Sequence, residues 1–308
     1  MLFRSHCYYR INDDADAFIR KAYYGGLVLP GKHIGKWGAV AGVDVNGAYA
    51  YQMAEHSYPI GNPAGARRYV PGKIGFYHVI ATVPESVFES VGFNPVPCRE
   101  KQGLCWPSGT FETFVSSIEY DFAVECGCSF VVLWGYVWSR TEKIFQSFVE
   151  KCQELELDNN GEYKPTVKII RNSLYGKFGS KSEHSKLIFS HSIIHDNAVV
   201  PWQNAESGEM IEGLYTGKEE SQSEYMLPHL AALITAYERV YIMGFIREAY
   251  RRGARNVYAD TDSIKCDAHV LLDMVRDKTI PTGNKYGEFK VEEICYEFIL
   301  VGPKCFCR

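Results

Sequence analysis

The sequence lacks the features that would set it apart from ordinary globular proteins. Its most apolar run, Phe130 to Trp138, is far shorter than the roughly 20 residues needed to cross a bilayer. Met1 to Arg10 has no apolar stretch of the kind that directs secretion. Charge of one sign is not in excess: 33 Lys and Arg minus 37 Asp and Glu gives -4 with histidine neutral. That balance excludes a basic nucleic-acid-coating tail and an acidic solubiliser, so any site for a polyanion must be local. No repeat period, low-complexity tract or Pro/Gly/Ser-rich linker divides the chain. Its ten cysteines have no regular spacing and outline no disulfide framework. The expected setting is a reducing one such as the cytoplasm, not the secreted space, and no membrane partner is expected. What remains is 308 residues, 46% hydrophobic and 23% charged, enough for two domains or one large domain with insertions.

Periodicity supplies the elements. Val40 to Val45 and Gly75 to Val83 read as strands, Ser108 to Glu125 as a helix through Phe111, Phe114, Val115, Ile118 and Phe122, and Phe130 to Trp138 as a strand. Ser139 with Glu142 suggests a capping box opening a helix through Ile144, Phe148, Cys152 and Leu155, which should end near Asp158-Asn159-Asn160-Gly161. A second helix follows with Pro165 in its first turn, making a helical hairpin. His229 to Arg252 is the longest helical pattern and ends in positive charge. Asn256 to Ala259 and Ser263 to Cys266 read as strands flanking Asp260-Thr261-Asp262, while Phe289 to Glu293 and Tyr296 to Val301 read as a further strand pair.

The chemistry concentrates on two faces. Asp260 and Asp262 lie two apart at a hairpin tip, and Asp44 ends an independent apolar strand. Alone, an Asp-x-Asp turn is more often a solvated turn than a site. Three carboxylates from two strand ends change that balance, because they can hold two hard cations about 3.5 to 4 Å apart for in-line phosphoryl transfer. Opposite them, Lys168, Asn172 and Tyr175 fall at i, i+4 and i+7, with Lys164 one turn earlier. An ammonium, an amide and an aromatic ring on one helix face suit a nucleoside triphosphate, and Gly176 leaves room for a planar group.

Those residues, in that order, resemble a known family. Asp44-Val45-Asn46-Gly47-Ala48-Tyr49, Lys168-x-x-x-Asn172-Ser173-Leu174-Tyr175-Gly176 and Tyr258-Ala259-Asp260-Thr261-Asp262-Ser263 resemble motifs A, B and C of family B DNA polymerases. The nearer resemblance is to the protein-primed branch of bacteriophages, adenoviruses and linear plasmids. Tyr23-Tyr24-Gly25-Gly26 is similar to its Tyr-x-Gly-Gly link, Thr235-x-x-x-Arg239 to its template-contacting motif, and Lys304-Cys305-Phe306 to its Lys-x-Tyr motif.

The resemblance implies an α+β right-hand polymerase with an antiparallel palm sheet and helical fingers. Residues 1–22 would be a lead-in, 23–138 and 225–308 the palm, 139–180 the fingers and 181–224 an insertion or loop. It implies template-directed DNA synthesis from deoxynucleoside triphosphates with two magnesium ions, for which manganese can substitute. Asp44, the Val45 carbonyl and Asp262 would bind metal, and Asp260 would assist. Tyr49 would bar a 2'-hydroxyl, Lys168 would contact the triphosphate, and Asn172, Tyr175 and Gly176 would line the nascent pair. Tyr23, Gly25, Gly26, Thr235, Arg239, Lys304 and Phe306 would contact DNA. Implied partners are a DNA template-primer, a deoxynucleoside triphosphate, a terminal priming protein and a separate nuclease or thumb chain.

Several residues depart from the family pattern. Gly47, Ala48 and Ala50 stand where Ser, Leu and Pro are usual, Glu238 sits beside Arg239 in place of a small residue, and Phe306 lacks the tyrosine hydroxyl. Only 22 residues precede Tyr23 without an Asp-x-Glu motif, and the sequence stops two residues after Phe306, so a nuclease is not expected and a thumb is expected to be absent or minimal. Other readings stay open: a metal-dependent sugar-nucleotide glycosyltransferase, which would need neither Tyr49 nor the lysine face, and a noncatalytic DNA-binding remnant or subunit of a split polymerase. Cys98, Cys105, Cys126 and Cys128 fit either a zinc site or plain reduced thiols, the latter favoured by their spacing. Arg247, Arg251, Arg252 and Arg255 fit either a phosphate contact or a solvated helix end.

Overall fold

A computed structural model describes residues 10–29, 34–101, 103–157, 162–181, 183–190, 199–204, 207–220 and 225–307. The Asp158 to Gly161 turn and parts of the 181–224 segment lie outside the described residues.

The longest helix, Pro228–Arg251, has fifteen buried residues around its circumference, as expected of a helix inside a core rather than on its surface. Its first half packs Leu230 to Ile234 against Ala15 and Ile19 of the Asp13–Lys21 helix, Met53 of the Ala48–Glu55 helix, and Phe148 and Val167 of the helices Gln146–Leu157 and Lys164–Phe178. Its second half inserts Ile242, Met243 and Ile246 into a core that also holds Val43, Val79, Val115 and Ile264. One helix therefore joins a helical layer to the sheets. Among the described residues no helix is long and apolar enough to cross a membrane.

The five-stranded sheet is antiparallel throughout, in the order Val28–Leu29, Val257–Asp260, Ser263–Asp267, Val40–Val45, Phe289–Cys295. A four-stranded sheet in the order Ala64–Ala66, Ser129–Val137, Gly75–Val83, Gly109–Ser116 packs beside it. Five of the six residues of Val40–Val45 are buried, so the run is apolar on both faces, and Asp44 alone is part-exposed.

Three expectations need correction. Residues 108–125 are not one helix: Gly109–Ser116 is a strand and only Ser117–Glu125 is helical. Thr110, Phe111, Thr113, Phe114 and Val115 favour a pleated surface. Ser116 then forms a capping box with Glu119 that starts the helix. Ser139 caps nothing, since Thr141–Glu142 pairs with Tyr58–Pro59 and the helix begins at Gln146. The last two strand segments do not pair with each other: Phe289–Cys295 pairs with Val40–Val45, and Phe298–Gly302 pairs with Gly35–Trp37 and Cys305–Cys307.

Candidate active site

Antiparallel register brings Asp44 and Asp262 together from positions far apart in the chain. Asp44 is the cross-strand partner of Ser263, and the Val45 amide donates to the Asp262 carbonyl at 2.9 Å. Burial, then the neighbouring Asp262 and Glu292 charges, push the Asp44 carboxyl up to about 7, against the counter-effect of Lys265 and Lys168. Burial likewise raises Asp262, with Asp260 and Glu292 adding to it.

Both aspartates open on a cleft of about 310 Å³. Val45 to Tyr49 line the same side as Asp44, and Lys164, Lys168, Arg171, Asn172 and Tyr175 from the Lys164–Phe178 helix line the other. The arrangement is an anionic floor facing a cationic wall, an environment fitted to a polyphosphate held with divalent cations. The Tyr49 ring rests against Tyr175, with centroids 4.2 Å apart. Gly176 follows at an exposed position with open space around it.

Asp260 is arranged differently from the expected trio. Both its carboxylate oxygens accept from the Lys304 ammonium, at 2.7 and 2.8 Å, and the three aspartates do not gather their oxygens within 4.8 Å of one another. Lys304 thus reaches the Asp260 to Asp262 tip, whereas the Phe306 ring packs on Phe298 with centroids 5.2 Å apart.

The Tyr23 to Gly26 link is tied to that tip. The Thr261 amide donates to the Leu27 carbonyl at 2.6 Å, and a Cβ on Gly26 would come within 2.7 Å of the Thr261 hydroxyl, so only glycine fits this close approach.

Thr235 and Arg239 are not available to a template. Thr235 is wholly buried and its hydroxyl donates to Ala231 and Ala232 carbonyls of its own helix. Arg239, also wholly buried, donates to Glu119 Oε1 at 3.0 and 2.6 Å and to the Gly25 carbonyl. Glu238 likewise points inward: it accepts from the Gln52 amide at 2.8 Å, and burial pushes its carboxyl up to about 8. The arginine cluster at the helix end is met by acids, Arg247 by Glu125, Arg251 by Glu248, and Arg252 by Glu248 and Asp277, while Arg255 lies over the Tyr250 ring.

Further residues shape the cleft without having been singled out in the sequence. Arg171 pairs with Glu156 at 3.1 Å and lies over the Tyr286 ring, 4.6 Å from its centroid. Its place at i+3 from Lys168 was a signal in the spacing. Tyr286 and Asn284 had none, because they arrive through a loop pinned by Asn46: its side-chain amide donates to the Gly283 carbonyl, and its carbonyl accepts from the Gly287 amide. Glu292 sits where the register slips between Val291 and Glu293, a bulge that sequence periodicity does not announce.

Comparison with known proteins bears on the family and the fold. A probable DNA polymerase of Podospora anserina is 26% identical over 96% of this chain and 26% of its own length. A DNA polymerase of Bacillus phage PZA is 25% identical over 86% of this chain and 45% of its own length. The structure of Phi29 DNA polymerase complexed with primer-template DNA superposes with a TM-score of 0.75 at 22% identity, covering 97% of this chain and 50% of that one. The chain thus spans about a quarter to a half of the length of these relatives. A family model for DNA polymerase type B, organellar and viral, matches residues 3–266, and the chain belongs to that family.

Proposed function

We propose that this chain carries out template-directed DNA synthesis, transferring a nucleotide from a deoxynucleoside triphosphate to the 3'-hydroxyl of a primer or to the hydroxyl of a priming protein. The observation that carries the proposal is the meeting of Asp44 and Asp262 on one side of a cleft whose other side is the Lys168 face. A sugar-nucleotide enzyme would have no use for Tyr49 and Tyr175 held ring against ring beside that face.

The donor set fits magnesium, with manganese as substitute. Two aspartate carboxyls and the Val45 carbonyl are hard oxygen donors, and the raised Asp44 carboxyl marks crowded negative charge that a cation would relieve. When bound, two such ions would supply the positive charge that acidifies the attacking hydroxyl and stabilises the leaving pyrophosphate. The protein's own groups do the rest. Lys168 contacts the triphosphate and donates a proton to the departing pyrophosphate. Tyr49 bars a 2'-hydroxyl, while Asn172, Tyr175 and Gly176 line the nascent pair. Lys304 serves the primer end, a reading supported by its pairing with Asp260. Tyr23, Gly25 and Gly26 border the DNA, with Arg239 bracing them from inside.

In this reading residues 23–138 and 225–308 are palm, 139–180 fingers and 181–224 an insertion. A terminal priming protein and a separate nuclease or thumb chain are the proposed partners, at a site of viral or plasmid replication inside a host cell. The test is a labelled primer-template with the four deoxynucleoside triphosphates and magnesium, run beside a sugar-nucleotide hydrolysis assay. Template-matched extension without sugar-nucleotide turnover is expected. Primer binding with no extension, even with manganese, would assign a noncatalytic role instead.

A further inference from the structure

Away from the cleft, the strands Cys98–Glu100 and Gly103–Cys105 form a two-stranded antiparallel ribbon in which Cys98 stands opposite Cys105. Side chains alternate along a strand, so Glu100 shares the Cys98 face, and Cys105 shares it as the cross-strand partner. The donor atoms of all three lie within 4.8 Å of one another, and no other trio of such side chains among the described residues does so. Cys98 is 9% exposed, Cys105 half-buried and Glu100 exposed, which makes a rim site that an ion can enter.

The other face of the ribbon carries Arg99. Its guanidinium donates to the Tyr23 carbonyl at 2.6 Å and lies over the Tyr24 ring, 5.2 Å from its centroid. The ribbon is therefore attached to the link that runs to the Asp260 to Asp262 tip.

We propose that Cys98, Glu100 and Cys105 bind one zinc ion, with a fourth position left to water, and that the ion fixes the ribbon from which Arg99 holds the Tyr23 to Gly26 link. Two thiolates select zinc over magnesium, which prefers all-oxygen sites such as the Asp44 cleft. Binding through thiolate sulfur releases the two thiol protons to solvent. Cys126 and Cys128 are buried and stand outside the trio. The inference is independent of the polymerase reading.

The test is zinc titration of the full, reduced chain against a chromophoric chelator, in excess magnesium to occupy carboxylate sites, with cobalt(II) as a spectroscopic substitute. One equivalent of zinc and a thiolate-to-cobalt charge-transfer band are expected. Cys105→Ser should weaken binding about tenfold or more and diminish the band. Glu100→Gln, at an exposed position that does not threaten folding, should weaken binding while keeping the band. Cys126→Ser should change neither. Unchanged affinity in Cys105→Ser and Glu100→Gln, no retained zinc, or a mass two hydrogens lighter from a Cys98–Cys105 disulfide under these reducing conditions would overturn the proposal.

Discussion

Asp44 shows how a strand position acquires chemistry. Its neighbours along the strand are buried and apolar, so its carboxyl is only part-hydrated, and Asp262 and Glu292 bring like charge. Its carboxyl is raised from the ordinary 3.8 to about 7, so a bound cation must displace a proton at lower pH. The apparent magnesium affinity, read from extension rate against magnesium concentration, should therefore be about tenfold weaker at pH 6 than at pH 8. A pH-independent magnesium requirement would contradict this.

Glu238 makes a second residue-scale case. One of its oxygens has no hydrogen-bond partner, and its carboxyl is raised from 4.5 to about 8. A raised folded-state value means stability is fully present below the ordinary value and is lost as pH rises through about 8. Melting temperatures of the parent should thus fall between about pH 5 and pH 9 more steeply than those of Glu238→Gln, in which the raised Asp44 and Asp262 carboxyls still titrate. Parallel curves for the two would remove the assignment.

At the scale of elements, the sequence was most legible where one period ran long enough. Val40–Val45, Gly75–Val83, the helix with Pro165 in its first turn, and the helix through Leu230, Leu233 and Tyr237 all stand where their patterns put them. Between 108 and 125 the aromatic spacing also fitted a helix, and the tie was broken by tertiary pairing: Phe111 and Phe114 lie on a strand opposite Ala81 and His78. Arg239 was misread for a related reason. Its place in a Thr-x-x-x-Arg pattern resembling the family's template-contacting motif put it at the DNA, and only the folded chain reveals Glu119 waiting inside. Because that pair is fully buried, removing one partner strands the other charge. Arg239→Met should lower unfolding free energy by about 3 to 5 kcal/mol, measured by denaturant titration, with part of the loss recovered when Glu119→Leu is added. Equal stability of parent and single variant would show that the pair contributes nothing.

For the molecule as a whole, the family and the antiparallel α+β architecture were readable because three short motifs occur in the family's order. What joins them was not readable: the register that sets Val45 against Asp262, the loop that delivers Tyr286, and the ion pair between Lys304 and Asp260 depend on contacts between residues remote in sequence. The proposed function rests on Asp44 and Asp262 acting together across the cleft from Lys168. The decisive measurement is extension of a labelled primer-template by the parent and by Asp262→Asn, with folding verified by circular dichroism. Extension by the parent and a loss on the order of a hundredfold or more in the variant are expected, the effect of removing a metal-binding carboxylate. Equal extension by a folded Asp262→Asn protein would contradict it.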